Sequence, residues 1–154
     1  MLEKVDLDES MPCEKYSEIS KKLKARLSSL QQPVKQGGLP VIILFEGWGA
    51  SGKGSLISKL ILNFDPRGFK VYSVIEPTAL EKREPVLWRY WTKVPKRGQM
   101  AVFDQSWYYD VYGGCGGVTD AAALRRLEDI KTFERQLTDD GYLIIKFFIH
   151  VSKK

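Results

Sequence analysis

With 154 residues, of which 44% are hydrophobic, the chain can bury one core of ordinary size and is predicted to form a single domain. No stretch approaches the roughly 20 apolar residues of a membrane helix, and the acidic amino terminus differs from a signal peptide, so we expect a cytoplasmic protein without a membrane partner. The net charge of +5 favours a polyanionic partner, and two well-separated cysteines, Cys13 and Cys115, suggest neither a disulfide framework nor a zinc site.

The amino-terminal part of the chain predicts a leader followed by a helix. Residues 1–13 have weak periodicity and are interpreted as the leader. In residues 14–32, apolar side chains recur every three or four positions, which predicts an amphipathic helix that packs by one side and ends at Pro33. Residues 14–36 are therefore interpreted as this helix and a linker. Its basic residues are interpreted as a solvated face: Lys21, Lys22, Lys24 and Arg26.

Strands and helices alternate in the rest of the chain. Residues 41–45 predict a central buried strand, 69–75 a second strand, 100–104 a third and 143–149 a fourth buried strand. A helix is expected after the first strand, a short one at 84–92, and a long one before the fourth strand. The buried face of the long helix is predicted to consist of Leu124, Leu127, Ile130, Phe133 and Leu137. This alternation predicts a parallel α/β sheet with right-handed crossovers.

A glycine-rich segment joins the first strand to the next helix and fits the phosphate-binding pattern G-x-x-x-x-G-K. Gly47, Gly52 and Lys53 occupy the fixed positions. Backbone N–H groups of such a loop, together with the helix amino terminus and the lysine charge, bind phosphate oxygens. The predicted phosphate-binding residues are Gly47, Gly49, Ala50, Ser51, Gly52, Lys53, Gly54 and Ser55.

A magnesium site is predicted beside this loop. The usual pattern has Ser or Thr after the lysine to bind Mg²⁺, whereas here Gly54 follows Lys53, and Ser55 comes next. Ser55 either reaches the metal or a phosphate, or is a first-turn helix serine. Asp104 ends the third strand, where a P-loop protein normally places a metal-binding carboxylate, so we predict Asp104 as the Mg²⁺ ligand. The alternative for Asp104 is an ordinary turn aspartate.

Two further segments have candidate roles. Arg89 lies among Trp88, Tyr90 and Trp91 and is predicted to stabilise transferring phosphates, although these tryptophans are more typical of a core. The glycine-rich segment 113–117 is interpreted as a mobile loop without thiol chemistry.

Several motifs together resemble the polyphosphate kinase 2 family. They are Phe45-Glu46-Gly47 through Lys53-Gly54, Asp65-Pro66-Arg67-Gly68-Phe69, Glu76-Pro77-Thr78, Leu87-Trp88-Arg89-Tyr90-Trp91, Phe103-Asp104, Ser106-Trp107-Tyr108 and Phe133-Glu134-Arg135-Gln136-Leu137. The match runs from about residue 41 to 152. The Leu-Trp-Arg-Tyr-Trp form is similar to polyphosphate:AMP phosphotransferases, which carry two such domains in tandem.

The resemblance implies a P-loop kinase-like, three-layer α/β/α fold with at least four parallel strands, preceded by the amphipathic helix. It also implies Mg²⁺-dependent phosphoryl transfer between inorganic polyphosphate and a nucleotide, AMP or ADP. Lys53 would hold phosphates, Asp104 the metal, and Pro77 and Thr78 would lie near the nucleotide. Polyphosphate is thereby favoured over nucleic acid, which charge alone leaves open. An oligomer or a tandem partner domain is expected.

Departures from the family pattern raise a second hypothesis. The family has Asp at the position of Gly49 and Arg at the positions of Gln105 and Asp110, so charged groups expected at the site are replaced. The family also continues past the fourth strand into a helical lid, and we interpret residues 37–154 as a domain truncated before that lid. The alternative is therefore a catalytically degenerate domain with a phosphate-binding or structural role. Such a domain could be the amino-terminal member of a tandem pair.

Overall fold

A parallel four-stranded sheet organises the computed structural model, which describes residues 10–112 and 120–151. The spatial order of its strands is β2-β3-β1-β4, and every pair is parallel. The strands are β1 (Val41–Gly47), β2 (Phe69–Ser73), β3 (Met100–Asp104) and β4 (Leu143–Ile149). The α-helices are α1 (Cys13–Gln36), α2 (Lys53–Ile61), α3 (Trp88–Trp91), α4 (Tyr109–Tyr112) and α5 (Asp120–Asp139). The predicted fold class is confirmed.

The sheet lies between two apolar layers because side chains alternate along its central strands. Ile42 and Leu44 of β1 face one cluster, which includes Phe133 of α5. Val41, Ile43 and Phe45 face the other, which includes Ile57 of α2. Each cluster is covered by helices, which gives the three layers. β1 and β3 are thereby buried on both faces, and their carboxyl ends reach the same edge of the sheet.

The first helix differs from its prediction in two ways. α1 continues through Pro33, because a proline in the last turn removes a single N–H donor, and the chain turns away at Gly37 and at Gly38, whose φ is 63°. None of its residues is buried, and Leu23 remains 54% exposed. The prediction of a helix packed along one side is therefore wrong. Apolar spacing defines a face, but it does not supply a neighbour to cover that face.

Contacts of α1 concentrate in its carboxyl-terminal half. Val34 packs against the core cluster that contains Ile57. Gln31 makes two hydrogen bonds to the backbone of Asp65: its Nε2 donates to the carbonyl oxygen at 2.8 Å, and its Oε1 accepts from the N–H at 2.5 Å. These contacts attach the carboxyl-terminal half of α1 to the turn that precedes β2.

The predicted helix at 84–92 is shorter than expected. Glu84 is extended, with φ of −104° and ψ of 161°, because the residue before a proline is disfavoured in the α region. Pro85 thus separates a 3₁₀ turn at Glu81–Arg83 from α3, which begins at Trp88. The second strand also ends earlier than predicted, at Ser73 instead of residue 75.

The fourth strand and one position of the long helix were predicted to be buried but are exposed in part or in full. β4 pairs with β1 alone among the described residues and is an edge strand, so Phe147 and Phe148 are 45% and 42% exposed. On α5, Ile130, Phe133 and Leu137 are buried as predicted, whereas Leu124 is 63% exposed. Periodicity fixes the direction of a side chain, but burial depends on what lies opposite.

Some predictions fall outside the described residues. They concern most of the leader, at residues 1–9, and the glycine-rich segment 113–117 with Cys115. Within residues 10–112 and 120–151, no helix has the length and apolar character that a bilayer span requires.

Candidate functional site

The predicted phosphate-binding loop lies at the carboxyl edge of the sheet, between β1 and α2. Two glycines shape it. Gly47 has φ of 140°, and a Cβ there would collide with the carbonyl oxygen of Ile149 in β4. Gly52 has φ of 89° and caps the amino end of α2. The loop therefore leaves the sheet against β4 and delivers the free N–H groups of the first turn of α2 to the edge of the sheet.

Lys53 is held over the loop by its own neighbours. Its side chain runs back from the start of α2, and Nζ donates to the carbonyl oxygens of Gly47 and Trp48, both at 2.8 Å. The residue is 9% exposed. Its positive charge thus adds to the helix amino terminus at the same edge of the sheet, which favours a bound anion.

An open cavity of about 380 Å³ lies in front of this loop. It is lined by Ala50, Ser51, Gly52, Lys53, Gly54, Ser55 and Asp104. Ser51 contributes a buried hydroxyl oxygen that has no hydrogen-bond partner among the described residues. A buried hydroxyl without a partner is unfavourable, and a phosphate oxygen would satisfy it. The structure therefore brings the predicted phosphate-binding residues from Ala50 to Ser55 together with Asp104.

Asp104 reaches this cavity because β1 and β3 are adjacent and in register. Phe45 pairs with Asp104, so the two strands end side by side. The carboxylate of Asp104 and the hydroxyl of Ser55 are hard oxygen donors of the kind that Mg²⁺ prefers. Among the described residues, no group of three or more His, Cys, Asp or Glu could hold a metal alone. This donor set fits Mg²⁺, which usually takes one or two protein ligands and completes its coordination with water and phosphates.

The turn after Asp104 contains residues that the sequence did not identify as functional. Gln105 has φ of 62°, unusual for a residue with a side chain, and its N–H donates to the carbonyl oxygen of Phe45 at 2.9 Å. The next residue, Ser106, is fully buried and donates its hydroxyl to Oε1 of Glu46, the residue after Phe45. Glu46 thus ties the turn that carries Asp104 to the start of the phosphate-binding loop.

Burial raises the pKa of Glu46 above its ordinary value, and hydrogen bonds from Ser106 oppose that shift. The charge of Lys53 also lowers this pKa, whereas that of Asp104 raises it. In the sequence, Glu46 stands out as a carboxylate at the end of an otherwise apolar strand. Its hydrogen-bond partner Ser106 lies 60 residues away and is not indicated by any local pattern.

Arg89 lies outside the loop cavity and holds the segment after β2. Its Nη2 donates to the carbonyl oxygen of Ile75 at 2.7 Å, and its Nε lies 3.7 Å from Oε1 of Glu81. The guanidinium is buried, and Nε and Nη1 have no hydrogen-bond partner among the described residues. Glu81 in turn accepts a hydrogen bond from the N–H of Thr78 at 2.9 Å. A phosphate contact by Arg89 remains a prediction.

Thr78 belongs to this group of residues around Arg89 and Glu81, and Pro77 precedes it in the chain. They do not line the loop cavity, which is bounded by residues 50–55 and Asp104. The N–H of Thr78 is the main cause of the lowered pKa of Glu81, and the charge of Arg89 contributes. The cluster therefore orders residues 75–81 at the carboxyl end of β2, and the nucleotide role predicted for Pro77 and Thr78 stays a prediction.

The three departures from the family pattern lie in different surroundings. A Cβ at Gly49 would meet no atom within 4 Å, so a side chain there is sterically free. Gln105 is fixed in the strained turn beside Asp104. Asp110 accepts a hydrogen bond from the buried hydroxyl of Tyr90 at 2.8 Å, and its carbonyl oxygen accepts one from Arg126. Asp110 therefore has a structural use that an arginine could not serve.

A second polar network explains other residues of the family motifs. Glu134 of α5 accepts hydrogen bonds from Trp107 Nε1 at 3.0 Å and from the hydroxyl of Tyr108 at 2.9 Å. Its other oxygen pairs with Lys146 of β4 at 2.6 Å. Burial lowers the pKa of Lys146, but hydrogen bonds to Glu134 and Tyr108 outweigh it and leave the pKa raised. The network joins α5, β4 and the segment after β3.

Comparison with known proteins identifies the family. The family model for polyphosphate kinase 2 matches residues 10–154. The chain belongs to the polyphosphate kinase 2 family. A crystal structure of polyphosphate kinase 2 from Arthrobacter aurescens TC1 superposes with a TM-score of 0.91 at 28% identity, over 99% of this chain and 58% of that one. The resemblance seen in the motifs is thereby confirmed.

Curated relatives carry activity names. A polyphosphate:AMP phosphotransferase from Pseudomonas aeruginosa is 32% identical over the whole chain, which spans 32% of that protein. An AMP/ADP-polyphosphate phosphotransferase from Meiothermus ruber is 34% identical over 85% of the chain and 50% of that protein. The chain thus spans about a third to a half of the length of these relatives.

Proposed function

We propose that this domain binds inorganic polyphosphate at the loop cavity and transfers a phosphoryl group between it and AMP or ADP in a Mg²⁺-dependent reaction. The observation that carries the proposal is the convergence of Lys53, the unpartnered Ser51 hydroxyl and Asp104 on one cavity, in a member of the polyphosphate kinase 2 family. Phosphoryl transfer needs positioning and charge neutralisation more than covalent chemistry, and these groups supply both.

Each part of the site has a distinct task. The N–H groups at the start of α2 and the ammonium of Lys53 bind phosphate oxygens and offset their charge. Ser51 donates its hydroxyl to one of these oxygens. The Glu46–Ser106 hydrogen bond keeps Asp104 beside the loop. Asp104 and Ser55 would hold Mg²⁺, which neutralises charge on the transferring group when bound.

The direct test is phosphoryl transfer. The protein is incubated with polyphosphate, Mg²⁺ and either AMP or ADP, and products are followed by ³¹P NMR beside Lys53→Ala. A matched control is Lys59→Ala, which removes a lysine from the same helix away from the cavity. We expect transfer by the wild type and Lys59→Ala and at least a ~100-fold loss in Lys53→Ala, the scale of losing a charged transition-state contact. Equal transfer in both lysine variants would refute the proposal.

A second candidate function is phosphate binding without turnover. It is favoured by Gly49 and Gln105, which replace an acid and an arginine of the family pattern beside the cavity. Its signature is binding of tripolyphosphate, sensitive to Lys53→Ala, with no transfer to AMP or ADP. Gly49→Asp combined with Gln105→Arg then provides a gain-of-function test. Transfer that appears in the double variant supports a degenerate site, whereas transfer by the wild type excludes it.

We further propose that the site is completed in the cytoplasm either by another copy of this chain in an oligomer or by a tandem partner domain. The support is chemical, because Gln105 and Asp110 provide no positive charge where the family pattern has arginine. Light scattering of the chain alone tests the oligomer. Transfer assays with and without the carboxyl-terminal domain of a tandem relative test the partner domain.

A further inference from the structure

A second basic cavity lies at the opposite edge of the sheet from the loop cavity. It has a volume of about 140 Å³ and lies where β2 and β3 begin, against the segment after α3. Three of its lining residues are lysines, and the lining contains no aspartate or glutamate. We name it the lysine pocket, defined by Lys70, Thr92, Lys93, Lys96 and Gln99.

The positive charge in the lysine pocket is largely uncompensated. No side-chain hydrogen bond or ion pair joins Lys70 or Lys96 to any residue in the described part of the chain. Lys93 differs, because its Nζ donates to the carbonyl oxygen of Arg89 at 2.7 Å and lies 3.4 Å from Glu81. Lys93 thus forms a fixed wall, while Lys70 and Lys96 are free to pair with a ligand.

The alternation of β2 explains why a lysine lines this cavity. Lys70 and Tyr72 are two positions apart and therefore share one face of the strand. Tyr72 packs against the core on that face, whereas Lys70 lies at the start of the strand, beyond the core. The Gln99 side-chain amide adds N–H groups that can donate hydrogen bonds, whereas the Thr92 hydroxyl already donates to the carbonyl oxygen of Arg89 at 3.0 Å. The pocket thus offers two cations and neutral donors to one ligand, the combination that suits an oxyanion.

Other basic residues nearby are already used. Arg97 pairs with Asp140 at 3.0 Å, and Arg89 is buried beside Glu81. The basic segment 82–97 is therefore not one continuous track toward the phosphate-binding loop. Within residues 89–97, Lys96 is the basic residue whose side chain makes no hydrogen bond or ion pair to the described part of the chain, and it lines the pocket with Lys70.

We propose that the lysine pocket is a second, non-catalytic subsite for phosphate groups of a polyphosphate chain. Its volume is close to the roughly 150 Å³ that accommodates benzene in an engineered cavity, which is sufficient for a phosphate group. β3, with five residues, separates the two edges by about 15 Å. A long chain can therefore occupy both cavities, and binding at one raises the local concentration of phosphate at the other. The choice of polyphosphate as ligand rests on the proposed function.

Amide NMR distinguishes the two cavities in one titration. With tripolyphosphate as the probe, we expect shifts of the Thr92 and Gln99 amides, which report the lysine pocket, as well as of Gly52 in the loop. The variant Lys70→Ala/Lys96→Ala should weaken binding at the pocket amides by roughly tenfold or more while Gly52 still responds. Orthophosphate at the same total phosphate concentration should bind the pocket more weakly, because it offers fewer linked charges.

The matched control is Lys15→Ala/Lys24→Ala, which removes the same charge from exposed positions of α1. Lys70 and Lys96 line the pocket, whereas Lys15 and Lys24 do not. Surface substitutions of this kind usually change stability by less than ~0.5 kcal/mol. Loss of the Thr92 and Gln99 response in both double variants would refute the subsite, as bulk charge would then explain binding. Unchanged pocket shifts in Lys70→Ala/Lys96→Ala, or equal binding of orthophosphate, would also overturn it.

The outcome separates this inference from the proposed function. A chain that transfers phosphoryl groups while its pocket amides stay unmoved by tripolyphosphate has the function without the subsite. A chain whose pocket binds tripolyphosphate but which transfers nothing has the subsite without the function.

Discussion

Replacing Ser106 with alanine tests whether the buried Glu46 carboxylate depends on that single hydroxyl. Ser106 is 0% exposed and Glu46 8% exposed, so water cannot easily replace the lost donor. A hydrogen bond to a charged group contributes about 1.5–3 kcal/mol. The N–H of Ser106 still donates to the same carboxylate. We therefore expect Ser106→Ala to lower the free energy of unfolding by about 1.5–2 kcal/mol, the lower part of that range.

The effect of Ser106→Ala should depend on pH in a defined direction. Burial raises the pKa of Glu46 above 4.5, and the Ser106 hydroxyl lowers it, so the variant has a still higher pKa. An acid with a raised folded-state pKa contributes less stability as pH rises from its unfolded pKa through its folded pKa. The variant should therefore be more destabilised at pH 7 than at pH 4.5, because a folded-state pKa above 4.5 leaves a larger fraction of the carboxyl group protonated at the lower pH.

Urea unfolding followed by circular dichroism, at both pH values, measures this difference. The control is Ser28→Ala, which removes an exposed hydroxyl that donates to the carbonyl oxygen of Asn63 at 2.9 Å. Its effect should stay within ~0.5 kcal/mol at either pH. An equal loss for Ser106→Ala at both pH values, or a loss no larger than that of Ser28→Ala, would show that Glu46 does not depend on this hydroxyl.

Two further predictions compare matched positions, and a third concerns the pH dependence of stability. Gly47→Ala should destabilise the fold by more than ~1 kcal/mol, because its Cβ would strike a β4 carbonyl at φ of 140°, whereas Gly54→Ala, with open space and helical backbone, should be neutral or stabilising in thermal unfolding. Phe133→Ala should cost about 3–5 kcal/mol and Leu124→Ala under ~1 kcal/mol, by urea titration, because Phe133 is buried and Leu124 exposed. Glu81→Gln should destabilise the fold at pH 7 and lose that effect as pH falls below 4.5, because a carboxyl group with a lowered folded-state pKa stabilises the fold at pH values above its unfolded-state pKa. A pH-independent difference in the free energy of unfolding would contradict this.

The position of the proposed phosphate-binding loop, between β1 and α2, could be predicted from sequence because its parts are contiguous. Gly47 through Ser55 need a strand before them and a helix after them, and both patterns are local. Asp104 was found for a related reason, as parallel strands end at a common edge. Glu46 and Ser106 were missed because their pairing joins residues distant in sequence and follows from a strained turn at Gln105.

Errors in the fold have a common physical origin. Leu124 and β4 lie in the predicted helix and strand, yet Leu124 is exposed and no residue of β4 is fully buried. The case of α1 is similar, since Leu23 on its apolar face stays exposed although Val34 near its end packs against the core. Periodicity determines where a side chain points relative to its own helix or strand, whereas burial is a property of two surfaces.

The sequence by itself determined the order of strands and helices, the glycine-rich loop between β1 and α2, and the family. These depend on backbone preference and on spacing within short segments, which the chain carries locally. Tertiary structure alone decided which charges remain available. It buried Arg89 beside Glu81, paired Arg97 with Asp140, and left Lys70 and Lys96 free around a cavity. The reason is physical, because whether a charge is neutralised depends on groups a few ångströms away, whatever their distance along the chain.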